Sequence, residues 1–360
     1  MREGWTYKVF EDCLVKAAKA KQVKTSDYNA GSKYPIISQE DKMISGFCDD
    51  YSLLYHIDRP IVIFGDHTRV LKYVDFDFIV GADGVKILIP KDFLKAKFLL
   101  YFLQWYKLPS LGYSRHYKLL KEIKLPIPPL AEQEKIVAEL DLLSSVIEKK
   151  KAQLEEYDKI AQSIFYDMFG DILNAKPKLS LKDVATYYIG LTYKPTNVSE
   201  DGIIVLRSSN IQNNLLDFND IVRVNLDVSE NKCVKNGDIL MCARNGSARL
   251  VGKVARIKEL SEKMSYGAFM TIIRSEYNEY LFHFFLSDYF RNQLTTSKTA
   301  TINQITSRML DNISLNVPPL SLQQEFAEKI EAIERQKELI KQSIAETETL
   351  FNSRMDYYFN

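Results

Sequence analysis

The segment IKLPIPPLAEQEKI, beginning at Ile123, returns 190 residues later as ISLNVPPLSLQQEF, beginning at Ile313. The offset persists: Pro128 and Pro129 match Pro318 and Pro319, Leu130 matches Leu320, Gln133 matches Gln323, and Phe169 matches Phe359. A period this long is not a solenoid unit; it marks two duplicated modules. Each repeat reads as a short extended strand, a proline pair and a long helical pattern. The prolines hold the entering chain extended and set the helix start, close to Leu130 and Leu320.

The first helical pattern carries a heptad through Ile136, Leu140, Leu143, Ile147, Lys150, Leu154, Tyr157, Ala161, Ile164 and Met168. The second keeps the register through Phe326, Ile330, Ile333, Lys337, Ile340, Ile344, Thr347, Phe351, Arg354 and Tyr358, and weakens toward the end. Apolar residues alternating at spacings of four and three form a seam for another helix. A helix of ~40 residues is roughly 60 Å long at 1.5 Å per residue, beyond the usual length in a globular domain. Between a hairpin inside an ordinary domain and a two-helix coiled coil, the length favours the coiled coil. Its helices run antiparallel if the module between them is to start and finish near matching ends.

The fold class expected is α/β: two mixed α/β modules separated by two long helices in an antiparallel coiled coil, with a pseudo-twofold internal repeat. The expected divisions are residues 1–122, a first module; 123–171, a first repeated segment with its helix; 172–312, a second module; and 313–360, the second repeated segment. Apolar, β-branched runs predict strands at Tyr34–Ser38, Ile61–Phe64, Gly84–Ile89, Gly202–Arg207, Gly237–Ala243 and Met270–Arg274. Aromatic-rich helices are predicted at Phe93–Trp105 and Glu279–Leu294.

Composition excludes more than it selects. The 48 basic and 47 acidic residues leave a net charge of +1, so nucleic-acid binding has to come from local patches. Cys13, Cys48, Cys233 and Cys242 form no Cys-x-x-Cys pair and the four histidines lie far apart, so no metal site is expected. The N-terminal MREGWTYKVFEDCL has no apolar signal core. The apolar stretches fall short of the ~20 residues that span a bilayer. The expectation is a cytoplasmic protein with no membrane partner.

No catalytic constellation stands out. A P-loop, a Gly-x-Gly-x-x-Gly turn, an Asp/Asn-Pro-Pro-Tyr methyltransferase motif and a nuclease carboxylate–lysine cluster are all missing. The modules offer instead polar loops after predicted strands. In the first, His67, Thr68 and Arg69 lie in GDHTR, with Lys72 beyond, and Ser114, Arg115 and His116 lie in YSRHYK. In the second, Arg207, Ser208 and Asn210 lie in RSSNIQ, and Arg244, Asn245, Ser247 and Arg249 in ARNGSAR. Asn303 lies in SKTATINQITSR. Arg can make two bonds to guanine, Asn two to adenine, and Ser or Thr can reach phosphate or base edges. Gly65 and Gly246 would let backbone amides approach a phosphate. Taken singly such loops are ordinary turns; their recurrence at similar places in both halves points to DNA.

The paired segments at Ile123 and Ile313 resemble the repeated regions of Type I restriction–modification specificity (S) subunits, the HsdS family. GDILMCARNGSARLVGKVA with YGAFMTIIR, and IISQEDKMISG, IFGDHTRVLKY, FIVGADGVKIL and GYSRHYKLLKEI, resemble that family's target-recognition patterns. The resemblance covers essentially the whole chain. It implies that each module reads one half of a bipartite site in double-stranded DNA, while the helices set the spacing. Two modification (methyltransferase) subunits would dock on the helices and restriction (endonuclease/translocase) subunits would join. Catalysis would reside in those partners, with S-adenosylmethionine, ATP and Mg there and no cofactor in this chain. The degraded seam near Asn360 implies a looser cyclic closure through the N-terminal segment, WTYKVFEDCL set against LKDVATYYIG. A Type IIB-like specificity subunit and a coiled-coil scaffold without DNA are the alternatives.

Overall fold

The structure, a computed structural model, describes residues 4–29, 33–82, 84–112, 114–295 and 304–360. It divides into two compact units, Met1–Ala152 with Ile340–Asn360, and Gln153–Leu339. Each unit takes in one mixed α/β module and a stretch of both long helices.

In the first unit, one sheet runs in the order Leu14–Val15, Val85–Pro90, Ile61–Gly65, Leu71–Val74, all antiparallel. Ile61–Gly65 is buried along its whole length, which is why it reads as an unbroken apolar run and not an alternating one. The second sheet runs Gly46–Cys48, Tyr34–Ile37, Phe78–Val80, Leu54–Tyr55, with Tyr34–Ile37 and Phe78–Val80 parallel. Ile37, Ile61, Ile63, Val74, Phe78 and Val80 cluster from the two sheets. Val62, Phe64 and Leu88 pack instead with Phe98, Leu99 and Phe102 of helix Ala96–Tyr106.

The second unit repeats this topology. Its main sheet runs Thr186–Ile189, Met270–Arg274, Ile239–Cys242, Val254–Arg256, and its second Arg223–Val224, Val198–Leu206, Met264–Tyr266, again with one parallel pair. It adds a hairpin, Ile211–Gln212 with Leu215–Leu216, turning on Asn213 and Asn214 at φ 50° and 60°. Asn tolerates this left-handed backbone better than most residues. The aromatic segment forms two helices, Asn278–Leu286 and Asp288–Thr295, because Ser287 is extended and turns its hydroxyl back to the Phe284 carbonyl.

The repeat is anchored alike in both units. Thr6–Val9 pairs with Lys124–Ile127, and Leu179–Ser180 with Ser314–Leu315. The Phe10 N–H donates to the Ile123 carbonyl at 3.0 Å, and the Leu181 N–H to the Ile313 carbonyl at 2.8 Å. Phe10 therefore corresponds to Leu181, which corrects the register that set Trp5 there. What repeats is the backbone pairing, and side-chain likeness alone misplaced it by five residues.

The long helices are Leu130–Asn174 and Leu320–Phe359. At each start the matched glutamine fastens the proline pair: Gln133 Nε2 donates to the Pro128 carbonyl at 2.9 Å and Gln323 Nε2 to that of Pro318 at 2.7 Å. The helices run antiparallel within each unit. In the first, Arg354 bonds Glu139, Lys151 meets Glu348 at 2.8 Å, and Lys150 reaches the Thr347 hydroxyl at 3.2 Å. In the second, Lys337 meets Asp158 at 2.6 Å while Phe326 packs on Phe169 at 5.0 Å between rings.

Ile136, Leu140, Phe326, Ile330, Ile333 and Ile344 are buried, and Leu143, Ile147, Leu154, Ile164 and Ile340 half-buried. Toward the end of the first helix the deepest positions are Phe165 and Phe169, one step round from Ile164 and Met168. A helix of 3.6 residues per turn drifts against a 3.5 repeat, and here it turns toward Tyr280 of the module core, 5.1 Å from Phe169. The expected fraying of the second helix does not occur. Met355 and Phe359 are buried, and the Phe359 ring sits 5.4 Å from Phe98 and 5.7 Å from Phe102. The weak heptad there is polar but paired, since Arg354 and Tyr358 bond Glu139 of the other helix, while Met355 and Phe359 on the neighbouring face also meet the module.

Candidate nucleic-acid interface

In both modules three segments meet at one end of the central strand. In the first, the Asp66 N–H donates to the Gly84 carbonyl at 2.7 Å, and the Asp66 carbonyl accepts from the His116 N–H at 2.8 Å. In the second, the Ala243 N–H donates to the Phe269 carbonyl at 2.9 Å, and the Ala243 carbonyl accepts from the Ile305 N–H at 2.7 Å. Asp66 thus corresponds to Ala243, His67 to Arg244, Gly84 to Phe269 and His116 to Ile305. The third segment follows the parallel strand, where Ile37 and Leu206 accept from Gly81 and Gly267. Two residues on, Gln39 Oε1 accepts from the His67 N–H at 3.1 Å, and the Ser208 hydroxyl accepts from Asn245 Nδ2 at 3.0 Å. The loops singled out in the sequence are therefore brought together, once per module.

Within the first junction, Thr68 and Arg69 are exposed and His67 half-buried. The Thr68 hydroxyl donates to the Gln39 carbonyl at 2.6 Å. Arg69 has φ 63° and its guanidinium donates to the Leu108 carbonyl at 2.8 Å. Thr68, Arg69, Gln104 and Lys107 line a cleft of about 550 Å³. Arg115 is exposed and Ser114 half-buried on the adjoining loop.

Two candidates here prove structural. Lys72 is 5% exposed, and its ammonium donates to the carbonyls of Ser38, at 2.9 Å, and Lys42. Burial lowers its pKa. A lysine spent on two backbone acceptors cannot also reach a phosphate. His116 is fully buried, its Nε2 accepting from the Leu111 N–H at 3.0 Å and its Nδ1 bonded to the Asp66 carbonyl at 2.9 Å. It ties two loops together. Gly65 is also a packing residue, since a Cβ there would lie 2.3 Å from the Thr68 hydroxyl and 2.9 Å from Gln39 Cβ.

In the second junction Arg244, Ser247 and Arg249 are exposed, and Arg207, Ser208 and Asn245 half-buried. Arg207 pairs with Asp220 at 2.8 Å. Asn210 is 1% exposed and structural: its Oδ1 accepts from the Arg207 N–H at 2.8 Å, and its Nδ2 donates to the carbonyls of Asp217 and Asp220, each at 2.9 Å. Asn245 Oδ1 accepts from the Ser247 N–H at 2.9 Å, which shapes the turn. Asn303 lies outside the described residues. A cleft of about 430 Å³ is lined by Thr192, Tyr193, Arg207, Ser208, Ser209 and Phe269.

Sequence reasoning missed Gln39, Tyr193 and Phe269. Phe269 is 58% exposed, with the Arg244 guanidinium carbon over its ring at 5.4 Å from the centroid. It sits at the edge of the apolar run GAFMTIIR, where an aromatic reads as core. The alternation that turns Met270 in and Phe269 out was its one signal. Among the described residues no group of three or more His, Cys, Asp or Glu side chains could hold a metal ion, and no helix is long and apolar enough to cross a membrane.

Residues 2–156 and 177–349 match the family described as the Type I restriction modification DNA specificity domain. The chain belongs to that family. It is 34% identical over 160 residues to the Type I restriction enzyme EcoKI specificity subunit of Escherichia coli K12, an alignment covering 42% of this chain and 34% of that subunit. The fold is shared with a solved chain from work on complex assembly and conformational transition of the type I R-M system, at TM-score 0.54 and 14% identity, covering 100% of this chain and 98% of the other. It is shared too with the Type I restriction–modification S subunit of M. genitalium, at TM-score 0.52 and 13% identity, covering 98% and 95%.

Proposed function

We propose that the chain is the DNA-specificity subunit of a Type I restriction–modification complex, acting in the cytoplasm. Each module reads one half of a bipartite target in double-stranded DNA, and the paired helices set the spacing and dock two modification subunits. Restriction subunits complete the assembly. Catalysis, with S-adenosylmethionine, ATP and Mg, is supplied by those partners and not by this chain.

The observation that carries the reading is the doubled junction. A bipartite site needs two readers of one architecture with different surfaces, and here one backbone plan presents different polar side chains twice. Exposed Thr68, Arg69 and Arg115 around the first strand end, and Arg244, Ser247 and Arg249 around the second, are groups that reach phosphates and base edges. A fixed spacer gives the half-sites a fixed rotational phase on the duplex.

The test is methyl transfer by the purified chain with the modification subunit of its host, mapped on genomic DNA. Methylation confined to a two-part sequence with a constant gap is expected. Methylation indifferent to sequence, or unchanged when this chain is omitted, would leave a scaffold as the better reading.

A further inference from the structure

We infer that Arg244 is a base-reading residue that takes the N7 and O6 acceptors of one guanine, with Phe269 as the platform that aims it. This rests on the DNA reading above and sharpens it to one residue.

Six of the arginines in these modules are already committed, among them Arg59 to Asp92 and Arg256 to Glu279. Arg69 donates to the Leu108 carbonyl, and Arg207, Arg223 and Arg274 pair with Asp220, Glu262 and Asp238. Arg115 and Arg249 are exposed with no ring beneath them among the described residues. Among the described residues Arg244 alone combines a fixed position with an uncommitted edge. Its N–H donates to the Phe269 carbonyl at 3.0 Å and its backbone bridges to Gln304, so both flanks of the residue are held. Its guanidinium lies over the Phe269 ring at 5.4 Å, and no described carboxylate or carbonyl takes its N–H groups.

A guanidinium drawn to a ring by its charge keeps its N–H donors for other acceptors. That fork suits two acceptors lying side by side in one plane. In the major groove that pattern is guanine O6 and N7. A phosphate can take the same fork, and the base replacement below separates the two. The cleft that Phe269 lines with Thr192, Tyr193 and Ser208 brings polar groups alongside that ring. In the first module Gly84 stands where Phe269 does and His67 where Arg244 does, so the device serves one half-site only.

The experiment uses the chain in complex with its modification subunits and the bipartite duplex found by methylation mapping. Each guanine is replaced in turn by 7-deazaguanine, which keeps base pairing and removes N7. In the wild type, one replacement, within one half-site, should weaken binding about tenfold or more. Arg244→Ala should lose a similar factor on the unmodified duplex and become indifferent to that replacement. Arg244→Lys should restore salt-dependent affinity without the guanine preference, and Phe269→Leu should give a smaller loss at the same guanine. Arg244 is exposed, so unchanged thermal unfolding separates these effects from misfolding. If Arg244→Ala weakens every sequence equally and lowers the salt slope by roughly one, Arg244 is a phosphate contact and the inference fails. It fails too if the variant binds as the wild type does. A wild-type complex that methylates no bipartite sequence would instead remove the DNA reading itself.

Discussion

In the first module the turn after the central strand is gripped by a side-chain amide, that of Gln39, packed against Gly84. In the second the same turn is held by a hydroxyl, Ser208, with the ring of Phe269 alongside. Gly84 has φ 95°, and a Cβ there would lie 2.6 Å from the Gln39 amide, so this grip excludes a side chain at the position where the second module displays an aromatic. The backbone bonds that join the three segments are the same in both. Duplication has conserved the frame that presents the loops and released what they present.

The sharpest way to break this parallel is to remove the ring that each long helix seats in a module, Phe359 in the first unit and Phe169 in the second. Each substitution to Ala should cost about 3–5 kcal/mol. Denaturant unfolding of both variants should show losses of similar size. A large loss for one alone would mean that the repeat is not used equivalently.

The polar seam residues should separate the units. Lys337 is 6% exposed between Asp158 and Glu334; burial, which alone would lower its pKa, is outweighed by those carboxylates and it rises. Lys337→Met strands Asp158 and leaves Glu334 only Lys258 at 3.6 Å, and with Asp158 half in solvent the expected loss is roughly 2 kcal/mol. Lys150 is half-buried against hydroxyls and a carbonyl, so Lys150→Met should cost about 1 kcal/mol or less. Equal thermal shifts would contradict this ordering.

Mild acid should act on the second unit through His283. His283 sits three residues after Tyr280, the ring that meets Phe169, as Tyr101 does after Phe98, the ring that meets Phe359. Burial pushes the His283 pKa down to about 3. The unfolded imidazole, with its ordinary pKa near 6.5, binds a proton that the folded one refuses, so this stability is present above about pH 6.5 and is lost as pH falls toward 3. At pH 5 the difference is about 2 kcal/mol. Unfolding followed from pH 7 to 5 should be less pH-sensitive in His283→Phe than in wild type, and Tyr101→Phe should leave the pH dependence unchanged.

The smallest effect concerns the grips. Gln39→Ala removes the acceptor of the His67 N–H and should speed amide exchange in residues 66–69, with about 1 kcal/mol of local stability lost. Ser208→Ala should do the same around Asn245. Exchange rates unchanged in both would mean that the backbone bonds alone hold these turns.

Much of this was legible in the chain before any coordinates. The 190-residue repeat, the helix starts at Leu130 and Leu320, the strand Met270–Arg274 and the recurrence of polar loops after strands follow from repetition, periodicity, proline geometry and apolar runs, all readable along the chain. Tertiary structure decided the rest. Lys72, His116 and Asn210 look like ligand-seeking side chains in sequence, and each turned out to be bonded inward to backbone whose partner lies up to 50 residues away. The tail after Ile344 looked frayed because its apolar face, Met355 and Phe359, is complementary to a module near the other end of the chain. Phe269 read as core at the edge of an apolar run, with only its alternation against Met270 to say otherwise. Periodicity reports which residues share a face; what that face meets is settled by contacts between segments far apart in sequence, and no local pattern encodes them.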